Sequence, residues 1–177
     1  VFDAEDELVA VATILTMVQK KQTVFVEMTD EKIQDCLNRL KADAKPKWGT
    51  MTPQHMLEHL EYTYRIASGE IQDFNIQTPE RILEKVHDTL YNYKKMPQDH
   101  MFPLAEKSKI TELKHETLEE AKLKFIEARN AYLEYFKDNP EATMKNAVFG
   151  ELNRYEWYLM ERKHLNHHFE QFGLLDN

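Results

Sequence analysis

The chain has 177 residues and a mass of 21.1 kDa, which fits one ordinary domain with or without an appendage. Its hydrophobic fraction of 42% is sufficient for a core and excludes a disordered chain. The 31 acidic residues outnumber the 23 basic ones, and the resulting net charge of −8 disfavours nucleic acid and anionic membrane surfaces as partners.

The first 28 residues have a β-like composition. Residues 8–18, LVAVATILTMV, and residues 23–27, TVFVE, are rich in β-branched side chains and predict two strands. No basic n-region precedes the first run, which excludes a signal peptide, and the run is too short to span a bilayer. Two strands cannot bury both of their faces, and the chain begins with Val1 instead of methionine. We therefore expect residues 1–28 to be an extension that ends a preceding domain of a longer polypeptide.

Residues 29–177 have helical periodicity and predict one helical domain. Apolar side chains at helical spacing predict a first helix over residues 29–42, a second over 52–69 and a third over 78–95. The second and third each open with Thr followed by Pro, an N-cap and a favoured first helical residue. Residues 96–116 contain two prolines and no sustained period, which predicts a long connection that crosses a bundle or covers a site.

Two more helices are predicted before the C-terminus. A capping box formed by Thr117 and Glu120 opens the fourth helix. A loop over residues 141–152 leads to a fifth helix, which Asn153 and Glu156 cap. No Gly/Ser-rich linker interrupts this region. The sequence therefore predicts an all-α domain of five helices packed as an antiparallel bundle.

The eight histidines are the candidates for a metal site, because the single cysteine, Cys36, supplies neither a thiolate cluster nor an internal disulfide. On a helical projection of the fifth helix, His164 and His168 share the apolar face and His167 lies on its flank. Two imidazoles one turn apart can converge on one cation, as in helical H-x-x-x-H zinc sites. The alternative, two core histidines satisfied by their neighbours, has equal weight on these four letters alone.

The second helix offers a third ligand. His59 projects onto its apolar side, whereas His55 lies in the first turn, where a partly exposed position accounts for it. Facing helices that both direct histidine inward need a hydrogen-bond network or a metal. We therefore predict one divalent metal ion bound by His59, His164 and His168. Three histidine ligands leave coordination positions for water or substrate, the pattern of a catalytic site.

The remaining polar residues have simpler explanations. Glu58 and Glu161 lie near the ligands in sequence and are candidates for general bases or for groups that support the ligands, although a solvated helix face is the favoured interpretation. The sequence has no Gly-rich phosphate loop and no nucleophile elbow, and Cys36 lies on an apolar helical face. Surface or loop roles account for three further histidines, His87, His100 and His115.

Two segments resemble a known family: WGTMTPQHMLEHL in residues 48–60 and MERKHLNHHFEQFGL in residues 160–174. They are similar to the DinB/YfiT-like superfamily of metal-binding bundles, in its branch of unknown function with a K-H-L-x-H-H-x-x-Q-F-G-L ending. The resemblance covers about residues 29–175. It implies an antiparallel four-helix bundle with a long crossover loop. The metal ligands that it implies are His59, His164 and His168.

Some relatives in that superfamily are thiol-dependent transferases or isomerases, in which a thiol-activating role is ascribed to the metal; others have no assigned reaction. The resemblance implies an open site that activates water or a small thiol for hydrolase or transferase chemistry. His55, His167 and Gln171 are the expected supporting groups around the ligands. Zinc is the expected ion, with nickel and iron as alternatives, because all three accept imidazole. We expect a cytoplasmic protein with a small-molecule substrate or thiol as its partner; a homodimer is one candidate assembly, and the sequence does not decide the oligomeric state.

A second resemblance concerns the N-terminal extension. Residues 6–21, DELVAVATILTMVQKK, are similar to the closing strand of a MaoC-type hot-dog hydratase. This similarity implies the alternative function of a non-catalytic C-terminal accessory domain. The parent protein would be a MaoC-type hydratase/oxepin-CoA hydrolase fusion of phenylacetate catabolism, with an enzyme domain upstream. The histidines would then be structural or would hold a structural metal.

Overall fold

The structure is a computed structural model that describes residues 25–98 and 112–175. These residues form five α-helices, a short 3-10 helix and one two-stranded sheet, so this part of the chain is mostly helical, as predicted. The strand predicted over residues 8–18 lies outside the described residues. The strand predicted over residues 23–27 lies partly outside them, and residues 25–27 form no strand. The division into an extension and a helical domain stays a prediction.

The elements follow in simple order along the chain. The helices are α1 (Asp30–Arg39), α2 (Pro53–Ala67), α3 (Glu80–His87), α4 (Leu118–Asp138) and α5 (Arg154–Gln171). A 3-10 helix (Asp88–Tyr91) continues α3, and a hairpin of β1 (Thr143–Asn146) and β2 (Gly150–Asn153) joins α4 to α5. Among these helices, none combines the length and apolar character needed to cross a membrane.

Side-chain caps fix the starts of the helices that the sequence predicted best. The Thr52 hydroxyl accepts a hydrogen bond from a backbone N–H in the first turn of α2. Thr117 caps α4 in the same way. At α5, Asn153 accepts from the Glu156 backbone while the Glu156 carboxylate accepts from the Asn153 N–H, which completes a capping box. The predicted starts of these three helices are confirmed.

The third helix is shorter than its prediction over residues 78–95. α3 ends at His87, and residues 92–98 form neither helix nor strand. α3 has no side-chain cap and no buried residue, whereas Leu90 in the following 3-10 helix is buried. An eight-residue helix without a buried face gains little packing energy that would extend it. Apolar spacing alone therefore overestimates its length.

A β-hairpin occupies the segment predicted as a loop over residues 141–152. Its strands pair antiparallel, with Thr143 opposite Asn153. The Asn146 side chain accepts two backbone hydrogen bonds within the turn, and Gly150 adopts a φ of 86° that favours glycine. Strands of four residues are too short to show a clear alternation of apolar and polar side chains, so the prediction missed them.

Helices α2 and α4 run in the same direction. Near the start of both, the Glu58 carboxylate accepts a hydrogen bond from the Lys114 N–H. Further along both, the ring of Tyr64 packs against Phe125 and Tyr132, with centroid distances of 5.8 and 5.4 Å. The predicted antiparallel arrangement is wrong for this pair. The long connection between the two helices returns the chain to the end of the molecule where α2 begins, which permits a parallel pair.

Helix α5 runs antiparallel to α2. Its first turn lies near the end of α2, since Trp157 donates a hydrogen bond to the Met144 carbonyl and Met144 packs against Gly69. Its last residue, Gln171, donates to the Trp48 carbonyl, just before α2 begins. The predicted antiparallel packing therefore holds for this pair. The specific four-helix bundle that the family resemblance implies stays a prediction.

The core is built by α1, α2, α4 and α5, while α3 stays at the periphery. Cys36 of α1 is fully buried, and its thiol lies 3.6 Å from the Leu174 carbonyl oxygen. Burial raises the pKa of this thiol, which makes it the unreactive structural cysteine that the sequence predicts. The other large and almost fully buried side chains include Trp157, Tyr64, Phe125, Phe169, Ile33, Leu37, Met56, Leu57 and Leu60.

The segment just before the long connection and the C-terminal end of the connection are both anchored on helices. Lys163 of α5 donates three hydrogen bonds of 2.7 to 3.2 Å to oxygen atoms of residues 89–94. Glu58 of α2 accepts hydrogen bonds from the N–H groups of Lys114 and His115, at 2.8 and 3.2 Å. The connection therefore leaves α5 and reaches α2 at fixed points.

Glu156 gives a pH-dependent test of the α5 cap. Burial raises the pKa of this carboxyl, but interactions with the Tyr91 hydroxyl, the Asn153 N–H and His87 outweigh burial, so its pKa lies below the ordinary value of 4.5. A carboxyl with a lowered pKa stabilises the fold above its unfolded-state pKa and loses this contribution as the pH falls through its folded-state pKa. We expect Glu156→Gln to lower the free energy of unfolding by about 1 kcal/mol at pH 7. In urea unfolding, the difference should shrink as the pH falls below the ordinary carboxyl pKa of 4.5.

Glu134→Gln removes a charge from the exposed surface of α4 and is the matched control. It should follow the wild-type stability across the same pH range, since surface ion pairs contribute little. A stability loss in Glu156→Gln that does not change with pH would show that the carboxylate charge is not what holds the cap.

Candidate metal centre

Three histidines converge between α2 and α5. His59 extends from α2, and His164 and His168 extend from successive turns of α5. The Nε2 atom of His164 lies 2.8 Å from Nε2 of His59 and 3.1 Å from Nε2 of His168. One ring nitrogen of each residue lies within 4.8 Å of the other two. The structure thus brings together the three residues that helical projection selects from the sequence.

The three rings are neutral near pH 7. His164 and His168 are buried, and His59 is partly buried. Burial lowers the pKa of His59 to about 4, helped by the nearby charge of His167. Burial and repulsion from the neighbouring rings lower the pKa values of His164 and His168 well below the usual range. Each neutral ring carries one proton and offers one nitrogen lone pair.

The Gln171 amide fixes which nitrogen of His168 carries the proton. A carbonyl oxygen only accepts hydrogen bonds, so the Gln171 atom 2.8 Å from the Trp48 carbonyl is its amide nitrogen. The amide oxygen therefore lies 2.9 Å from Nδ1 of His168, which must be the protonated nitrogen. Nε2 of His168 is left with a lone pair directed at His164 and His59.

Hydrogen bonds among three neutral rings cannot satisfy this arrangement. Nε2 of His164 contacts two other Nε2 atoms but carries at most one proton to share between them. With that proton on Nε2, the Nδ1 atom of His164 is a bare acceptor; without it, Nδ1 is a buried donor. In either case Nδ1 of His164 has no hydrogen-bond partner. A buried polar cluster in this state is costly, which points to a further ligand at the convergence of the three rings.

A divalent cation fits the three nitrogens. Two histidines bound to one tetrahedral zinc ion, at about 2.0–2.1 Å each, place their nitrogens about 3.4 Å apart. The two separations that involve His164, 2.8 and 3.1 Å, are slightly shorter than this, and all three nitrogens lie within 4.8 Å of one another. A cation accepts all three lone pairs at once, which hydrogen bonding among the rings does not achieve. The described residues therefore contain a donor set suited to one metal ion.

The loop before α2 is tied to the end of α5 next to the centre. The backbone N–H of Lys47 donates to the Gln171 carbonyl at 2.7 Å, and the Trp48 carbonyl accepts from the Gln171 side chain. Gly49 follows with a φ of 73°, and a Cβ at this position would lie 3.0 Å from the Gln171 amide nitrogen. The glycine therefore allows the loop to approach the amide that orients His168.

The three predicted supporting residues have different surroundings. Gln171 contacts His168 directly, as described above. The ring of His167 packs edge-on against His168 and Trp48, with centroid distances of 5.0 and 5.5 Å. His55 lies in the first turn of α2, where its Nδ1 is 2.6 Å from the Thr52 hydroxyl. Support of the ligands by His167 and His55 stays a prediction.

The solvated positions favoured for the two nearby glutamates are wrong. Glu58 is 8% exposed, because its carboxylate folds inward to accept hydrogen bonds from Gln54 and from the backbone ahead of α4. Burial opposes these hydrogen bonds, but their combined effect lowers its pKa. Glu58 therefore anchors the long connection beside His59.

Glu161 lies deeper in the core than Glu58. It is 3% exposed, and neither carboxylate oxygen has a well-formed hydrogen bond. Burial raises the pKa of Glu161 to about 8, while the Tyr64 hydroxyl and Arg129 oppose the rise. The signal was available in the sequence: Glu161 projects about 60° from His164, between inward-facing side chains. The charge of Glu161 favours a position on the surface, whereas its place on the helix favours the core.

The other three histidines lie apart from the centre or outside the described residues. His115 lies in the loop before α4, as predicted, with its Nε2 2.6 Å from the Glu61 carboxylate. His87 ends α3 and lies 3.1 Å from the Glu156 carboxylate. His100 is outside the described residues.

Comparison of the chain with family models, with curated proteins and with solved structures gives no match in any of the three. The resemblance to the DinB/YfiT-like superfamily therefore stays a prediction based on the two quoted motifs. The distances, burial and hydrogen bonds of the three histidines do not depend on that resemblance.

Gln171→Leu tests the tautomer assigned to His168. In the wild type we expect ¹⁵N NMR to show a protonated Nδ1 and a bare Nε2 for this ring, because the Gln171 oxygen holds the Nδ1 proton. In the variant we expect a mixture of both tautomers. The free energy of unfolding should fall by roughly 1–3 kcal/mol, because the Trp48 carbonyl loses its partner.

The matched control is Gln34→Leu, which removes an exposed amide of α1 that bonds only to Asn38 in the following turn. It should leave the His168 signals unchanged. A wild-type His168 that carries its proton on Nε2 would contradict the assigned orientation of the amide.

Proposed function

We propose that the chain is a DinB/YfiT-like metal-binding domain in which His59, His164 and His168 hold one divalent ion. The observation that carries the proposal is the convergence of three buried, neutral imidazoles whose Nε2 atoms lie 2.8 and 3.1 Å apart. The Gln171 amide supports it by aiming the lone pair of His168 into the cluster. A histidine that only filled space in the core would not need a hydrogen bond that fixes the orientation of its ring.

The donor set favours zinc, with nickel and iron as alternatives. All three donors are imidazole nitrogens, and the cysteine lies elsewhere in the core, beside Leu174. Imidazole is a common ligand of each of these ions, so the ligand type alone does not identify which of the three is bound. The neutral state of the rings at pH 7 supports binding, since a neutral imidazole can offer one nitrogen lone pair without the release of a proton to solvent.

An open coordination position defines the chemistry that the centre would perform. Three protein ligands leave room for a small molecule, and a bound divalent ion lowers the pKa of a bound water or thiol. We propose hydrolase or thiol-transferase chemistry on a small-molecule substrate. The chain contributes a largely buried environment and a fixed His168 ring. The acidic net charge of −8 is consistent with a small-molecule partner and with no nucleic acid or membrane. A cytoplasmic location is part of the same proposal.

The accessory-domain alternative predicts histidines that are structural or that hold a closed structural ion. Structural zinc sites in proteins use four protein ligands, usually with thiolates. Among the described residues, only three side chains converge here. This count favours an open site.

Metal content tests the proposal directly. Protein purified without a metal-affinity column should contain close to one divalent ion per chain by elemental analysis, as a three-histidine site requires. His59→Ala and His164→Ala should each abolish stoichiometric binding, because two remaining imidazoles bind an ion too weakly to retain it. Titration with Zn²⁺ after removal of the native ion should restore one equivalent in the wild type alone.

His87→Ala is the matched control, because it removes an imidazole that pairs with Glu156 far along α5 from the centre. It should retain the ion in full. A folded wild-type protein with no bound ion and no affinity for added Zn²⁺ would contradict the proposed function.

A further inference from the structure

Three residues of α5 have buried polar atoms without a hydrogen-bond partner; Nε of Arg162 is one, and the other two groups are complementary in their chemistry. Of these two, one is Nδ1 of His164, and the other is the carboxylate of Glu161, through both of its oxygens. Both residues are buried, with exposures of 8% and 3%. Buried groups of this kind are costly and uncommon in native proteins. Two of them on the same helix need a common explanation.

The two groups are neighbours on one face of the helix. Glu161 precedes His164 by three residues, a spacing that places Cβ atoms about 5–6 Å apart. Side chains on a helix lean toward its N-terminus, so the His164 ring leans over the turn that carries Glu161. At this spacing, side chains on a helix are close enough to contact each other.

The chemistry of the two groups is complementary. When Nε2 of His164 gives its lone pair to a cation, the ring proton must be on Nδ1, which becomes a buried donor. The Glu161 carboxyl group offers a buried acceptor oxygen in either protonation state. Metal-binding histidines in proteins commonly donate their second N–H to a carboxylate or a carbonyl, which holds the ring in place.

We propose that Glu161 is the positioning residue of His164, and that its carboxylate accepts the Nδ1 hydrogen of His164 when the centre holds its ion. This inference rests on the proposed function. It gives both unpartnered groups a role in the same interaction. It also explains why an acidic side chain occupies a core position that a methionine or leucine would fill at no desolvation cost.

The other ligand on α5 already shows the same arrangement. Nδ1 of His168 lies 2.9 Å from the amide oxygen of Gln171, three residues further along the helix. His164 would have its acceptor three residues earlier. The two ligands of α5 would then each be held by an acceptor one turn away, in opposite directions along the helix.

The surroundings of Glu161 offer no stronger partner. The nearby cation, Arg129, forms an ion pair with Asp30 at 2.8 Å. The Tyr64 hydroxyl lies close enough to interact with the carboxyl and counters the rise in its pKa, but neither oxygen has a well-formed hydrogen bond. An ion held by His164 would therefore be the strongest attraction acting on this carboxylate.

Zinc affinity measures the role of Glu161. Isothermal titration with Zn²⁺ against a competing chelator should show a roughly tenfold to hundredfold weaker affinity for Glu161→Met than for the wild type. Glu161→Gln keeps an acceptor oxygen and should fall between the two. Glu134→Gln removes an exposed charge on α4 and should bind as the wild type does. Ion-free Glu161→Met should unfold at no lower urea concentration than the wild type, which separates lost positioning from lost folding.

A proton signal distinguishes positioning from a general charge effect. In the zinc-loaded wild type, the Nδ1 proton of His164 should be protected from solvent exchange and visible by ¹H–¹⁵N NMR. It should exchange faster in Glu161→Met and stay protected in Glu161→Gln. Unchanged zinc affinity and unchanged proton protection in Glu161→Met would overturn the role of Glu161 while the proposed function stands. A wild type that binds no zinc would overturn the proposed function and this inference together.

Discussion

Gln171 joins the loop before α2 to α5 through its side-chain amide and its backbone carbonyl. Its side-chain nitrogen binds the carbonyl of Trp48 in the loop before α2, its side-chain oxygen binds His168, and its backbone carbonyl accepts from Lys47. The position of the loop, the start of α2 and the orientation of a metal-ligand candidate all depend on this residue. Because an amide has one donor side and one acceptor side, its bond to Trp48 also determines the tautomer of His168. The hydrogen bond that holds the loop therefore also determines which nitrogen of His168 carries the proton.

The centre is built at a cost to the fold. Three imidazoles and one carboxyl group occupy positions in and around the core where apolar side chains would pack without desolvation. Burial makes the imidazoles neutral, which a metal ligand requires, and the same burial leaves Glu161 and Nδ1 of His164 without partners. Proteins commonly accept such local conflict at functional sites and compensate for it elsewhere. Here the compensation comes from the apolar core formed by α1, α2, α4 and α5.

The sequence predicted the features that depend on local chemistry. Caps at Thr52, Thr117 and Asn153 place the starts of three helices, since a side-chain oxygen and the first backbone N–H groups are close in sequence. Helical projection brought His59, His164 and His168 together, since each lies on an inward face. The relative direction of α2 and α4 could not be predicted, because it depends on the path of a long connection and not on periodicity.

The surface positions predicted for two glutamates followed from their residue type and not from their positions on the helices. Glu58 and Glu161 were placed on a solvated face because glutamate is seldom buried. Glu58 is buried because backbone N–H groups from a distant segment bind it, which no local pattern indicates. Glu161 differs, because its projection alone placed it among inward side chains. The β-hairpin between α4 and α5 was missed because its strands are too short to show a period.

The two anchors of the long connection, at Lys163 and Glu58, have an evolutionary consequence. Because the segment just before this connection and the C-terminal end of the connection are fixed to helices that carry the histidines, insertions or deletions between the anchors need not displace the centre. The entropy of closing a loop grows only slowly with its length, so such changes cost little stability. The segment between the anchors can therefore diverge in length and composition under selection, while the helices that carry the histidines stay constant.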